Sequence, residues 1–171
     1  MPKRIIRKVV KITLLVVGEG AAEKAFIEHM KGIYAAGVFT QKVSVDAADG
    51  GSQSAMIRYI ARIIGHVIYA RTVLLLDTDI PITTRDRKEA KKQKIELIEA
   101  TPWCLEGMLL EVLGQPTPAT TKACKSVLHA QLSGPETSKQ SYAPLFAKPI
   151  LDSSTKAQII RLKGLLSNSV S

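Results

Sequence analysis

The doublet Asp77-Thr78-Asp79 closes the apolar run Val73-Leu74-Leu75-Leu76, and Glu19 and Glu23 stand just past the earlier run Leu14-Leu15-Val16-Val17. Carboxylates serve catalysis by moving protons and by holding hard cations. Each pair falls where a buried strand would end and the chain would turn, which is where an open α/β sheet keeps its ligand site. Four carboxylates gathered there repel one another unless positive charge lies between them, and a divalent metal supplies it most simply. Paired Mg2+ or Mn2+ ions held in this way orient a phosphodiester, activate water and stabilise the leaving oxygen. The residue types and their order therefore point to a metal-dependent enzyme acting on phosphodiesters.

The elements that must position these acids are legible from periodicity. Residues 11–17, 42–46 and 72–76 read as strands, and 21–31 reads as a helix with Ala22, Ala25, Phe26 and Met30 on one side. Gly50-Gly51-Ser52 turns into a second helix with the stripe Met56, Ile57, Ile60, Ile63 and Ile64. With Gly20 at the turn, Glu23 lies on the first helical turn and faces back toward the strand end, so one ion could touch it and Glu19. Asp77 and Asp79 alternate at the end of an extended segment. The βαβαβ order implies a parallel sheet with right-handed crossovers.

After Asp79 comes a basic segment, 85–94, expected to be a solvated helix, and then 95–98, read as a fourth strand because Pro102 turns Thr101 away from helix. Residues 103–113 read as an apolar helix carrying Glu106 and Glu111. Beyond Gly114 the signal weakens: Pro116, Pro118, Pro135, Pro144 and Pro149 mark loops between helical pieces at 120–132 and 155–166. The expectation is a single α/β domain over 1–171, with a parallel, Rossmann-like sheet flanked by helices over about 11–113 and a helical C-terminal extension over about 114–171.

Composition sets the outer bounds. Hydrophobic residues make up 46% of the 171 and charged residues 23%, the balance of a folded globular protein. With 24 Lys+Arg against 15 Asp+Glu the formal charge is +9, so the surface attracts polyanions and nucleic acid is the expected partner. Arg85, Arg87, Lys88, Lys91 and Lys92 follow the acidic doublet and could track a phosphate backbone, although such runs also serve as ordinary solvated helix faces. Cys104 and Cys124 form no CxxC pair and have no histidine at finger spacing, which argues against a zinc site. Free thiols and a single disulfide both remain open, and so few cysteines suit a reducing cytoplasm. Met1-Pro2-Lys3-Arg4 imitates a signal peptide, but Arg7, Lys8 and Lys11 interrupt the apolar stretch that follows, and no run approaches a membrane span.

Taken together, Leu15-Val16-Val17-Gly18-Glu19-Gly20, Glu23-Lys24-Ala25-Phe26 and Leu74-Leu75-Leu76-Asp77-Thr78-Asp79 resemble the Toprim domain, in the variety found in OLD-type nucleases and their small defence-associated relatives. That family carries a glutamate after its first strand and a DxD after its third, on a compact parallel sheet. The resemblance covers about residues 11–113. It implies that Glu19 is a metal ligand or proton-transfer group, that Asp77 and Asp79 are metal ligands, and that Glu23 is the extra ligand of the OLD-like variety. Thr101-Pro102-Trp103-Cys104-Leu105-Glu106 is similar to a later motif in which Pro-x-x-x-Glu opens a helix, making Glu106 a fifth acidic candidate. The chain has no GxxxxGK[ST], so the ATPase part of the larger nucleases would come from a separate ATPase or regulatory partner, or not be needed. A basic group for the transition state is also implied, and Lys122, Lys125, Lys139 and Lys148 all remain open, with Lys148 the first guess.

Other readings use the same residues. Gly18-Glu19-Gly20 after a strand, with Asp46 as a ribose acceptor, suggests dinucleotide binding, but Glu23 replaces the third glycine and carboxylates crowd a pyrophosphate. A haloacid-dehalogenase-like phosphatase places its DxD after the first strand, not the third. A non-catalytic Toprim-like module that binds or senses nucleic acid is the alternative kept. Tyr34, Tyr59, Tyr69 and Tyr142 show no link to the acids, and His29, His66 and His129 show no triad spacing.

Overall fold

In the computed structural model, which describes residues 11–169, four strands alternate with helices. The strands are β1 (Ile12–Gly18), β2 (Gln41–Ala47), β3 (Arg71–Asp77) and β4 (Ile95–Ala100). The helices are α1 (Ala21–Tyr34), α2 (Gln53–Ile64), α3 (Thr84–Lys92), α4 (Leu105–Val112), α5 (Thr121–His129), α6 (Lys148–Ser153) and α7 (Ala157–Leu166), with a 3-10 turn over Lys139–Tyr142. The sheet is all-parallel in the order β2-β1-β3-β4, a Rossmann-like arrangement. Met1–Arg4, Arg7 and Lys8, weighed above as a signal-like stretch, lie outside the described residues.

The central strands are buried on both faces, and the two-residue period of a strand divides their side chains between two cores. Leu14, Val16, Val73 and Leu75 face α1, α4, α5 and α7, whereas Leu15, Val17, Leu74 and Leu76 face α2 and α3. The second core is the smaller one, completed by Met56, Ile57 and Ile60 from the expected stripe of α2. From α3 only Ala90 joins its buried set; the helix is otherwise polar and is tied down by Asp86, which accepts hydrogen bonds from the Ser54 and Thr83 hydroxyls.

The C-terminal third is not an appendage. Cys124, Leu128, Tyr142, Phe146, Leu151, Ile159, Leu162, Leu165 and Leu166 are buried in the same cluster as β1, β3 and α1. Phe26 meets Tyr142 and Phe146 edge-on, with ring centroids 5.5 and 5.8 Å away. Two elements here differ from expectation. Pro149 does not mark a loop but sits in the first turn of α6, where its missing N–H leaves no bond unmade. The 3-10 turn is too short to leave a helical period. α4 begins after Cys104 rather than at Trp103, because Trp103 takes a left-handed backbone conformation (φ 65°) that no helix continues.

Candidate functional site

β1 and β3 are adjacent and parallel, so their C-terminal ends open side by side at the crevice where the chain's crossovers diverge to opposite faces. Gly18 ends β1, and α1 returns so tightly that a Cβ there would lie 2.6 Å from the Glu23 Cβ and 2.8 Å from the Lys24 nitrogen. That close approach draws Glu23 beneath the strand end. Its carboxylate accepts the Gly20 N–H at 2.8 Å, capping its own helix. Glu19 leans the other way, and its Oε2 accepts the Asp77 N–H at 3.0 Å, joining the ends of β1 and β3.

Asp77 has the same parity as Val73 and Leu75, so its carboxylate points to the face covered by α1, α4 and α5. Its Oδ1 accepts the Leu105 N–H at the start of α4, 2.8 Å away, which brings Cys104 and Glu106 alongside. One ligand atom each from Asp77, Cys104 and Glu106 lie within 4.8 Å of one another, and all three residues are buried. From α5, Lys125 Nζ stands 3.0 Å from Glu106 Oε2 and 3.7 Å from Asp77 Oδ2, while His129 Nε2 is 2.9 Å from Glu106 Oε1. Lys125 and His129 are one helical turn apart and so present both groups to the same acid.

The structure thus brings Asp77 and Glu106 together, with Glu19 and Glu23 at their margin. Glu23 and Glu19 lie outside the trio, yet both charges bear on Asp77. Asp79 is exposed past the strand end, where the Thr121 hydroxyl donates to it at 3.1 Å. Arg85, Arg87, Lys88, Lys91 and Lys92 are all exposed on α3, across the sheet from Glu23 and Glu106, and Arg87 is held by a two-bond pair with Glu99 at 2.6 and 2.9 Å. Of the four lysines left open, Lys125 is the one at the acids; Lys148 pairs with Asp152 on its own helix.

Two residues escape sequence reasoning in this role, Cys104 and His129. Cys104 has no motif spacing to mark it, and His129 was read as isolated. The available signal was the i, i+4 pair Lys125 and His129 on α5. Lys125 was only one of four open lysines. Tyr142 is close enough for the charges of Glu106 and Glu23 to bear on it, but it is buried and its hydroxyl donates to the Glu136 carbonyl at 2.8 Å, which suits packing rather than attack. A groove of about 710 Å3 between Lys24 and Lys139 shares no lining residue with the acidic cluster.

The electrostatics follow from burial. Asp77 is pushed up to about 7, first by desolvation and then by Glu23, against the opposing pull of the Leu105 N–H and Lys125. Burial likewise raises Glu19 and Glu23. Glu106 is also desolvated, but Lys125 and His129 outweigh that and hold it below its ordinary value. Burial would lower Lys125, yet Glu106 and Asp77 more than reverse it. Four carboxylates thus share one ammonium, with an imidazole bonded to one of them, which leaves the pocket short of positive charge.

A pH dependence of stability follows. Asp77, Glu19 and Glu23 have folded-state values above those of the unfolded chain, so between about pH 4 and 7 the folded protein binds more protons than the unfolded one. Their stabilising contribution is full below about pH 4 and is lost as pH rises through about 7. Metal-free protein should therefore be less stable at pH 8 than at pH 5.5, by on the order of 2 kcal/mol from Asp77. Denaturant midpoints across this range would read it, and saturating divalent metal should flatten the slope. A flat profile without metal would contradict the charge distribution described.

The carboxylates of Asp77 and Glu106 fit a hard divalent ion, whereas burial pushes the Cys104 thiol well up and leaves it a neutral neighbour of that site. Ions bound at about 2.0–2.4 Å hold their ligand atoms within the mutual separation that the two carboxylates already show. Both cysteines are free thiols, and among the described residues no helix is long and apolar enough to cross a membrane. No family model, curated protein or solved structure matches the chain.

Proposed function

We propose that this chain is a metal-dependent nuclease of Toprim-like type, hydrolysing nucleic-acid phosphodiester bonds at the ends of β1 and β3. The observation that carries this reading is the buried group Asp77, Cys104 and Glu106, gathered from the end of β3 and the start of α4 beside Lys125 of α5. The motif order supports it too: Glu19 follows the first strand and Asp77-Thr78-Asp79 closes the third, in a parallel sheet.

Asp77 and Glu106 would hold the ion, with Glu19 and Glu23 at their margin as further carboxylates for it or for its waters. Mg2+ or Mn2+, when bound, supplies Lewis acidity toward the phosphoryl oxygens. Glu19, raised by burial and hinged between the strand ends, takes the proton from the attacking water. Lys125 swings from Glu106 toward the charge that develops on the phosphorus oxygens. His129 and the Leu105 N–H keep Glu106 and Asp77 oriented while that happens. The exposed cations Arg85, Lys88, Lys91 and Lys92 would hold the polyanion at a distance from the cut. Free thiols fit a cytoplasmic setting, and cutting here would need no ATP-driven step unless a separate ATPase or regulatory protein couples one to it.

One observation favours a second reading. Lys125 already stands between Glu106 and Asp77, as a structural cation would, so the acids could serve a non-catalytic nucleic-acid-binding or sensing module. Incubation with single-stranded, duplex and structured DNA and RNA separates the two. The nuclease should cut in Mg2+ or Mn2+ and stop in chelator. Salt-sensitive binding without any metal-dependent product would leave the binding module and remove the enzyme.

A further inference from the structure

Trp103 is the only tryptophan in the chain, and it is 43% exposed. Large aromatic side chains normally bury most of their surface, and a tryptophan N–H finds a partner when buried. Among the described residues this indole makes neither a ring contact nor a hydrogen bond. Its backbone is in the left-handed region at φ 65°, a conformation that costs free energy for a bulky residue and persists only where surrounding contacts impose it. Those contacts come from the site. The Trp103 carbonyl accepts the N–H of Thr78, the residue between Asp77 and Asp79, at 2.9 Å, and the Thr78 hydroxyl bonds the Ala100 carbonyl at 2.7 Å. The next residue, Cys104, belongs to the buried trio. Ile80, on the loop that carries Asp79, is 63% exposed.

We infer that Trp103 is a stacking platform for an unpaired base next to the scissile phosphate, so that single-stranded nucleic acid is the substrate class. This rests on the nuclease reading above. An indole face takes any base by stacking, whereas bases inside a duplex are already stacked on one another and offer no free face. The acidic cluster repels phosphate until metal is bound, so a neutral, stacked anchor at its rim holds the strand where charge alone would not.

Because Trp103 is the sole tryptophan, its fluorescence reports on this position alone. Unlabelled oligo-dT or oligo-U added to the full chain in chelator should quench the emission, and labelled oligonucleotide anisotropy gives the affinity. Trp103→Ala should weaken single-strand binding about ten-fold, Trp103→Phe should retain most of it, and a long blunt-ended linear duplex without a loop should bind all three proteins alike. The duplex affinity and the denaturation midpoint together show that the variants are folded. Unchanged emission, full single-strand affinity in Trp103→Ala, or equal losses for strand and duplex would each overturn the inference while leaving metal-dependent cutting in place. If no oligonucleotide binds the parent protein in chelator the inference falls, and if none is cut with Mg2+ or Mn2+ either, the nuclease reading falls with it.

Discussion

Asp77→Asn should lose metal-dependent cutting by at least about a hundred-fold to a thousand-fold, while the protein stays folded. The substitution keeps an oxygen for the Leu105 N–H and removes one of the charges that crowd the pocket. An asparagine is nearly isosteric with the protonated form that burial favours, so stability at pH 8 should hold or rise and the fall between pH 5.5 and 8 should shrink. That combination distinguishes a site residue from a structural one, since a group kept for stability alone would weaken the fold when replaced. Cleavage rates with Mg2+ or Mn2+, measured beside denaturant midpoints at both pH values, give the answer. Unchanged cutting would remove Asp77 from the mechanism proposed here.

Gly107→Ala should be among the most damaging small substitutions in the protein. A Cβ at Gly107 would lie 2.1 Å from the Pro102 carbonyl oxygen and 3.5 Å from the Cys124 sulfur. The carbonyl cannot swing aside freely, because it accepts the Cys104 N–H at 2.7 Å. Alanine in place of glycine inside a helix would by itself stabilise by about 0.8–1 kcal/mol. Overpacking against fixed backbone costs about 1–3 kcal/mol and occasionally more, and a clash this close belongs at the upper end, leaving a net loss of about 2 kcal/mol or more. The displaced first turn of α4 carries Cys104 and Glu106 with it, so metal affinity should fall together with stability. Gly32→Ala is the matched control: Gly32 lies within α1 with nothing inside 4 Å of its added Cβ, and should gain roughly 0.5–1 kcal/mol. Equal denaturant midpoints for the two variants would be falsifying for the packing described around α4.

Sequence alone determined the parallel α/β architecture and the position of the acids within it, because both depend on local rules. The unbroken apolar runs Leu14 to Val17 and Val73 to Leu76, the helical stripe from Met56 to Ile60 and the glycine turn at Gly18 to Gly20 each leave a compositional, periodic or conformational mark in a short window. The strand over 95–98, read from the effect of Pro102 on its neighbour, is β4. What stayed hidden lies in the C-terminal third, whose helices are six to ten residues long. Only the tertiary structure decided which cation and which thiol meet the carboxylates. Lys125 and His129 reach Glu106 across gaps of 19 and 23 residues, and the Leu105 N–H reaches Asp77 across 28. These meetings are set by how α4 and α5 pack on one face of the sheet, through apolar contacts that specify burial but carry no record of which polar group each neighbour will present.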